Sequence, residues 1–146
     1  MGTCTCVSRN NNEDDKELMK CNIENTPLFS LENQEFDAKV VKVYDGDTIT
    51  VAFKYFGKYY KFNCRLLGID TPELKSKNEH EKMLAEKAKS FLIDSIYNRK
   101  VKIQTRKWDK YGRLLVVVYL NFANINSHMI QQGFAKEYDG KTKSNW

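Results

Sequence analysis

The stretch from Arg65 to Glu73, Arg-Leu-Leu-Gly-Ile-Asp-Thr-Pro-Glu, constrains this chain more than any other. A strand entering it breaks at Gly68. Pro72 fixes its own φ and biases Thr71 towards an extended backbone. One cation, Arg65, and two carboxylates, Asp70 and Glu73, are thereby set on a rigid strand-to-loop junction. Carboxylates three residues apart with a proline between them can face a common point without a helix. That arrangement suits one hard metal ion and one oxygen anion, such as a phosphodiester.

Two further blocks supply matching chemistry. Tyr44-Asp45-Gly46-Asp47-Thr48 is a tight Asp-Gly turn entering an alternating run, and it offers another carboxylate. Asp109-Lys110-Tyr111-Gly112-Arg113 is a second turn, opening onto an apolar strand, and it offers a second arginine.

The segments between these blocks read as a small β-rich domain. Ala38, Val40, Val41 and Val43 mark a first strand, Phe36–Tyr44. Ile49, Val51 and Phe53 alternate with Thr50, Ala52 and Lys54 in a second, and Gly57-Lys58 turns the chain into a third, Tyr59–Leu67. Asn78 with Glu81 three residues on predicts a reciprocal helix cap. Leu84, Ala88, Phe91, Leu92 and Ile96 then form one helical face. Lys100–Arg106 and Arg113–Leu120 are two more strands. Asn126 is expected to cap a short second helix, Ser127–Gln132, closed by Gly133. The fold class is mainly β with α: a five-stranded OB-type Greek-key barrel plus two helices.

Charge divides the chain. Residues 1–35 hold three Lys/Arg against seven Asp/Glu, whereas residues 36–146 hold 21 against 12. A basic body behind an acidic segment points to a polyanionic partner, nucleic acid first, or to a plain lysine-rich solvated surface. Residues 1–34 are expected to be a disordered acidic tail, 35–140 the folded domain and 141–146 a C-terminal tail. The four cysteines, Cys4, Cys6, Cys21 and Cys64, make neither a zinc pattern nor a disulfide framework. Reduced thiols and the lack of an apolar secretory region predict an intracellular protein, cytoplasmic or membrane-tethered. The start, Met1-Gly2-Thr3-Cys4-Thr5-Cys6, admits two readings: Gly2 myristoylated with Cys4 or Cys6 palmitoylated, or an unmodified disordered end.

Phosphodiester hydrolysis needs an activated water, neutralised charge at phosphorus and help for the leaving oxygen. Asp47 and Asp70, with the Thr71 carbonyl, are the candidate ligands of a hard divalent ion. Glu73 is the candidate base or water-orienting group. Arg65 and Arg113 can make forked hydrogen bonds to phosphate oxygens that strengthen as charge builds. Asp45 reads as an ordinary turn aspartate. Tyr55, Tyr59 and Tyr60 either cover the core and hairpin or stack on bases.

In this order the three blocks resemble the thermonuclease (staphylococcal nuclease-like) family, from about Phe36 to Tyr138. The resemblance implies the same barrel, calcium as cofactor, and DNA and RNA as substrates cut without sequence preference to 3′-phosphate and 5′-hydroxyl ends. It also implies an outer-shell place for Glu73 beside the metal, and substrate contacts from Lys110, Tyr111 and Tyr138. A monomer is expected. Beyond Tyr138 the secreted bacterial members continue into another helix where this sequence runs to Trp146, so the domain is expected to lose stability or to draw packing from Trp146. The alternative is a non-catalytic barrel holding single-stranded nucleic acid or a protein ligand; such a module has no need of the carboxylates.

Overall fold

A computed structural model describes residues 11–143 and 145–146. In chain order the elements are α1 (Asn11–Leu18), β1 (Glu35–Val43), β2 (Thr48–Tyr55), β3 (Lys58–Leu66), β4 (Ile69–Asp70) and α2 (Glu79–Ile96). They continue with β5 (Lys100–Trp108), β6 (Leu114–Leu120), β7 (Ala123–Asn124), α3 (Ile125–Gln131) and β8 (Lys136–Glu137).

Strands β3, β2, β1, β5 and β6 lie side by side in that order, and β3 pairs in parallel with β6 to close the barrel. The closure is short: Cys64, Arg65 and Leu66 pair with Leu114, Leu115 and Val116. The β2–β3 turn is Phe56-Gly57, with φ of 46° and 79°, so both residues sit in the left-handed region that a two-residue hairpin demands. Lys58 therefore already belongs to β3.

Alternation along the strands builds the interior. Ile49, Val51 and Phe53 of β2 and Cys64 and Leu66 of β3 point inward and are fully buried. Phe53 is stacked between Phe36 and Phe62, at centroid separations of 4.2 and 4.1 Å. Ala85, Ala88, Leu92 and Ile96 form the buried stripe of α2, and each Leu or Ile contributes roughly 1.5–3 kcal/mol by leaving water. Burial pushes the Cys64 thiol up to about 12, so it acts as a packed apolar group.

Four local expectations are corrected. The acidic segment carries a helix, α1, that no apolar periodicity announces; every side chain described in it is exposed. Glu13 and Asp14 in its first turn and Lys16 in its last complement the helix dipole. Barrel packing also begins before residue 35: Leu31 is buried, its carbonyl accepts from the Thr105 hydroxyl, and the Asn33 N–H donates to the Thr105 carbonyl.

The cap of α2 is one-sided. Asn78 accepts from the His80 and Glu81 N–H groups, but the Glu81 carboxylate turns to the Ser76 hydroxyl at 2.7 Å and the Glu73 N–H at 3.4 Å. Asn124, not Asn126, caps α3 by accepting from the Ser127 N–H. Asn126 is instead buried, accepting from the Val118 N–H and donating to the Leu67 and Val116 carbonyls. It ties α3 to the barrel wall next to the strand break.

Gly2, Cys4 and Cys6 lie outside the described residues. Among the described residues, no helix is long and apolar enough to cross a membrane.

Candidate active site

Three chain segments converge at one end of the β2–β3 pair. The first is the loop before β2. Its Gly46 packs so closely that a Cβ there would stand 2.9 Å from both the Ala88 Cβ and the Thr71 Cγ2. This approach seats the loop under α2, and the Asp47 carbonyl accepts from the Leu66 N–H at 2.8 Å. Asp47 is buried. Its Oδ1 accepts from the Thr48 hydroxyl at 3.0 Å, and its Oδ2 from the Thr71 N–H at 3.3 Å and Arg65 Nη2 at 3.4 Å.

The second segment is the strand break. Gly68 has a φ of 81°, allowing the chain to reverse after β3, and β4 then pairs with β8 so that Asp70 faces Lys136. Asp70 is 3% exposed. Its Oδ1 lies 3.6 Å from Arg65 Nη2 and 3.4 Å from Lys143 Nζ, yet has no hydrogen-bond partner among the described residues. A buried acceptor left unsatisfied in this way retains coordinating capacity. Asp47 and Asp70 thus converge on one guanidinium nitrogen, with Arg65 itself buried.

The third segment is the Asp109–Arg113 turn. Asp109 Oδ1 accepts from the Tyr111 and Arg113 N–H groups, and Oδ2 accepts from Arg113 Nε at 2.7 Å. Burial alone would raise the Asp109 pKa. Hydrogen bonds from Arg113 and Tyr111, with the guanidinium charge, outweigh it and hold the carboxyl below its ordinary value. Held on one edge by Asp109, Arg113 reaches across to donate from Nη1 to the Thr48 hydroxyl at 3.3 Å.

Asp47, Arg65, Thr71, Glu73 and Arg113 line one cleft of about 560 Å³, and Asp70 meets it through Arg65 and Lys143. Glu73 is exposed, its Oε1 3.0 Å from Lys143 Nζ. Lys110, Tyr111 and Tyr138 line an adjoining hollow of about 510 Å³ that shares Arg65, Arg113 and Lys143. There Arg65 lies 5.2 Å from the Tyr138 ring centroid and Arg113 5.4 Å from that of Tyr111. Of the residues read as ligands, base, phosphate binders or substrate contacts, Asp47, Arg65, Thr71, Glu73, Lys110, Tyr111, Arg113 and Tyr138 line these two hollows and Asp70 lies against them, whereas Tyr55, Tyr59 and Tyr60 lie outside both.

Three contributors were not read from the sequence: Thr48, Asp109 and Lys143. Thr48 and Asp109 sit inside the turn blocks, and only their contacts reveal what they orient. Lys143 comes from the stretch assigned to the C-terminal tail, where Trp146 also folds back over the Lys136 ammonium at 4.4 Å. For Lys143, burial acts to lower the pKa, but the Glu73 hydrogen bond and the charges of Asp70 and Glu73 prevail and raise it. Asp45, read as a turn residue, does accept from the Asp47 N–H at 3.0 Å. Burial, and then the neighbouring Asp47 charge, push its carboxyl up to about 6.

No three His, Cys, Asp or Glu side chains gather at metal-binding range among the described residues. The oxygen donors offered to a cation here are the carboxylates of Asp47 and Asp70, with Thr71 in the adjoining lining. Such a set fits a hard ion, and the unsatisfied Asp70 Oδ1 is the observation that favours it.

The sequence pattern of the family described as "Staphylococcal nuclease homologue" matches residues 63–145, more than half of the chain. The protein belongs to that family. It is similar to an uncharacterized endonuclease of Haemophilus influenzae, 34% identical over 113 residues that cover 77% of this chain and 58% of the relative. It is also similar to a thermonuclease of Staphylococcus hyicus, 35% identical over 100 residues, covering 67% and 57%. A micrococcal nuclease of Shigella flexneri is 31% identical over 113 residues, covering 71% and 59%. The chain thus spans less than two thirds of the length of these relatives.

Proposed function

We propose that this protein is a metal-dependent nuclease that hydrolyses phosphodiester bonds of DNA and RNA without sequence preference, using calcium and leaving 3′-phosphate ends. The observation that carries the reading is the convergence of buried Asp47 and Asp70 on Arg65, in a cleft shared with Arg113 and Glu73. Family membership and relatives named as nucleases support it.

In this reading Asp47, Asp70 and the Thr71 carbonyl hold the ion. When bound, it supplies Lewis-acid neutralisation of the phosphate's negative charge. Arg65 and Arg113 hold the non-bridging oxygens, and their forked donors gain strength as charge accumulates at phosphorus. Glu73 accepts a proton from the attacking water. As the new P–O bond forms, the bond to the 5′ oxygen breaks, and that oxygen takes a proton from solvent water to leave as a hydroxyl. Lys143 now holds Glu73, so the base works only after the ammonium swings to another anion, such as the incoming phosphate. Tyr111 and Tyr138, each against an arginine, wall the neighbouring hollow for the adjacent nucleotide, with Lys110 near its phosphate.

The test is to incubate purified full-length protein with end-labelled single-stranded DNA and RNA, with calcium and with chelator, and to assign the product ends. Calcium-dependent fragments that need 3′-dephosphorylation before they can be extended are expected. Intact strands that still shift on a gel would replace the nuclease by a binding module. Fragments with 5′-phosphates would overturn the assigned bond.

A further inference from the structure

The paired register of β2 and β3 places a second set of polar residues outside the cleft. Arg65 faces Thr48, Asn63 faces Thr50, Lys61 faces Ala52 and Tyr59 faces Lys54. Successive strand residues alternate between faces, so these pairs form the outward row over buried Ile49, Val51 and Phe53. Strand β1 widens the row, with Lys42 opposite Thr50 and Lys39 opposite Ala52. The row begins at the arginine of the cleft and ends six residues along β3 at Tyr59, a span of ~20 Å.

Its chemistry is one-sided. Neither β2 nor β3 contains an acidic residue, and the two in β1, Glu35 and Asp37, lie at its start against Lys102 and Lys100 of β5. Among the described residues, Lys39, Lys42, Lys54 and Lys61 make no ion pair, whereas Lys100 and Lys102 beyond them are paired with Asp37 and Glu35. The unpaired lysines and the paired ones thus mark where the basic surface stops. Tyr59 is 76% exposed, with the Lys54 ammonium 5.8 Å from its ring centroid. An exposed aromatic face beside a cation takes a base and its phosphate together.

We propose that the outward face of β1, β2 and β3 is a track for single-stranded nucleic acid, leading from Arg65 past Lys61 and Lys39 to a base stacked on Tyr59. It rests on the nuclease reading for its partner class, since the track delivers a strand to the phosphate site of the cleft. Lysines neutralise the backbone, and Tyr59 requires a base whose face is free. Duplex buries those faces, so the partner is the single strand. The ~20 Å span is short enough to be served by the ~4–16 nucleotides that a barrel of this type holds.

The experiment measures fluorescence anisotropy of a labelled oligothymidylate with full-length protein in chelator, so that no cutting is needed, across a salt series. Lys39→Ala/Lys61→Ala is expected to flatten the slope of log affinity against log salt by about 1.4, two phosphate contacts on a single strand. Tyr59→Ala is expected to weaken binding about tenfold. Lys100→Ala/Lys102→Ala removes the same charge from the paired lysines and is expected to change the slope far less. All these side chains lie at the surface, and unchanged thermal unfolding confirms intact folding.

An equal change in both double variants would reduce the effect to bulk charge and overturn the track. So would no binding, unchanged affinity of Tyr59→Ala, or duplex that binds more tightly with the same dependence on Tyr59. A protein that binds along this face but never cuts would remove the nuclease reading and leave the track standing.

Discussion

Lys143 Nζ stands 3.4 Å from Asp70 Oδ1 and 3.0 Å from Glu73 Oε1, a cation lodged among the carboxylates of the cleft. A divalent ion held by Asp70 feels that charge directly. Lys143→Ala is therefore expected to tighten calcium binding, by about tenfold for one unit charge removed at this range from a partly screened site. Isothermal titration calorimetry without nucleic acid reads the change. Unaltered or weaker affinity would show that the ammonium does not oppose the ion.

The Asp109–Arg113 pair predicts a pH dependence of stability. Asp109 has its carboxyl held below the ordinary value, so its contribution is present above the unfolded pKa of about 3.9 and is lost as pH falls through the folded value. Asp109→Asn should lower the melting temperature at neutral pH, and the deficit should close on acidification below about pH 4. A deficit that persists unchanged into acid would mean that shape, not charge, fixes the turn.

Gly46 makes the cleft sensitive to a single methyl group. Gly46→Ala drives a Cβ against Ala88 and Thr71, and the loop has to move away from both. Asp47 moves with it, and a displacement of about 1 Å is enough to cost roughly 10²-fold in turnover. The expected result is a large fall in kcat for a folded protein, followed by calorimetry showing weaker calcium binding. Full activity would show that the loop absorbs the methyl elsewhere.

The strands were legible because alternation is a local pattern. Ile49, Val51 and Phe53 announce their own face, and Gly57, Gly68 and Gly112 mark the reversals between strands. The long helix was legible for the same reason, since Ala88, Leu92 and Ile96 repeat at helical spacing. Helix α1 was not, because its described side chains are all exposed and form no apolar stripe. Asn124 and Asn126 show the limit of cap signals: they flank Ile125 on either side, and only tertiary packing decides which faces the helix N-terminus and which plugs the barrel wall.

The site divides along the same line. Arg65, Asp70 and Glu73 share one stretch and could be grouped by eye, with Asp47 and Arg113 joined to them through their turn blocks. Lys143 lies seventy residues from Glu73 along the chain and is one of many lysines. Its contact follows from where β8 pairs with β4, which no local pattern states.

If the cleft cuts phosphodiesters as proposed, Arg113 holds the reacting phosphate, and single-turnover cleavage of single-stranded DNA in calcium reads its contribution. Wild type should be compared with Arg113→Ala and Arg113→Lys. Calcium-dependent cutting is expected, with a loss of about 10²–10³ in rate for the alanine variant and little recovery with lysine, which lacks the planar fork. Equal rates in all three proteins, or cutting that survives chelation, would contradict that proposal.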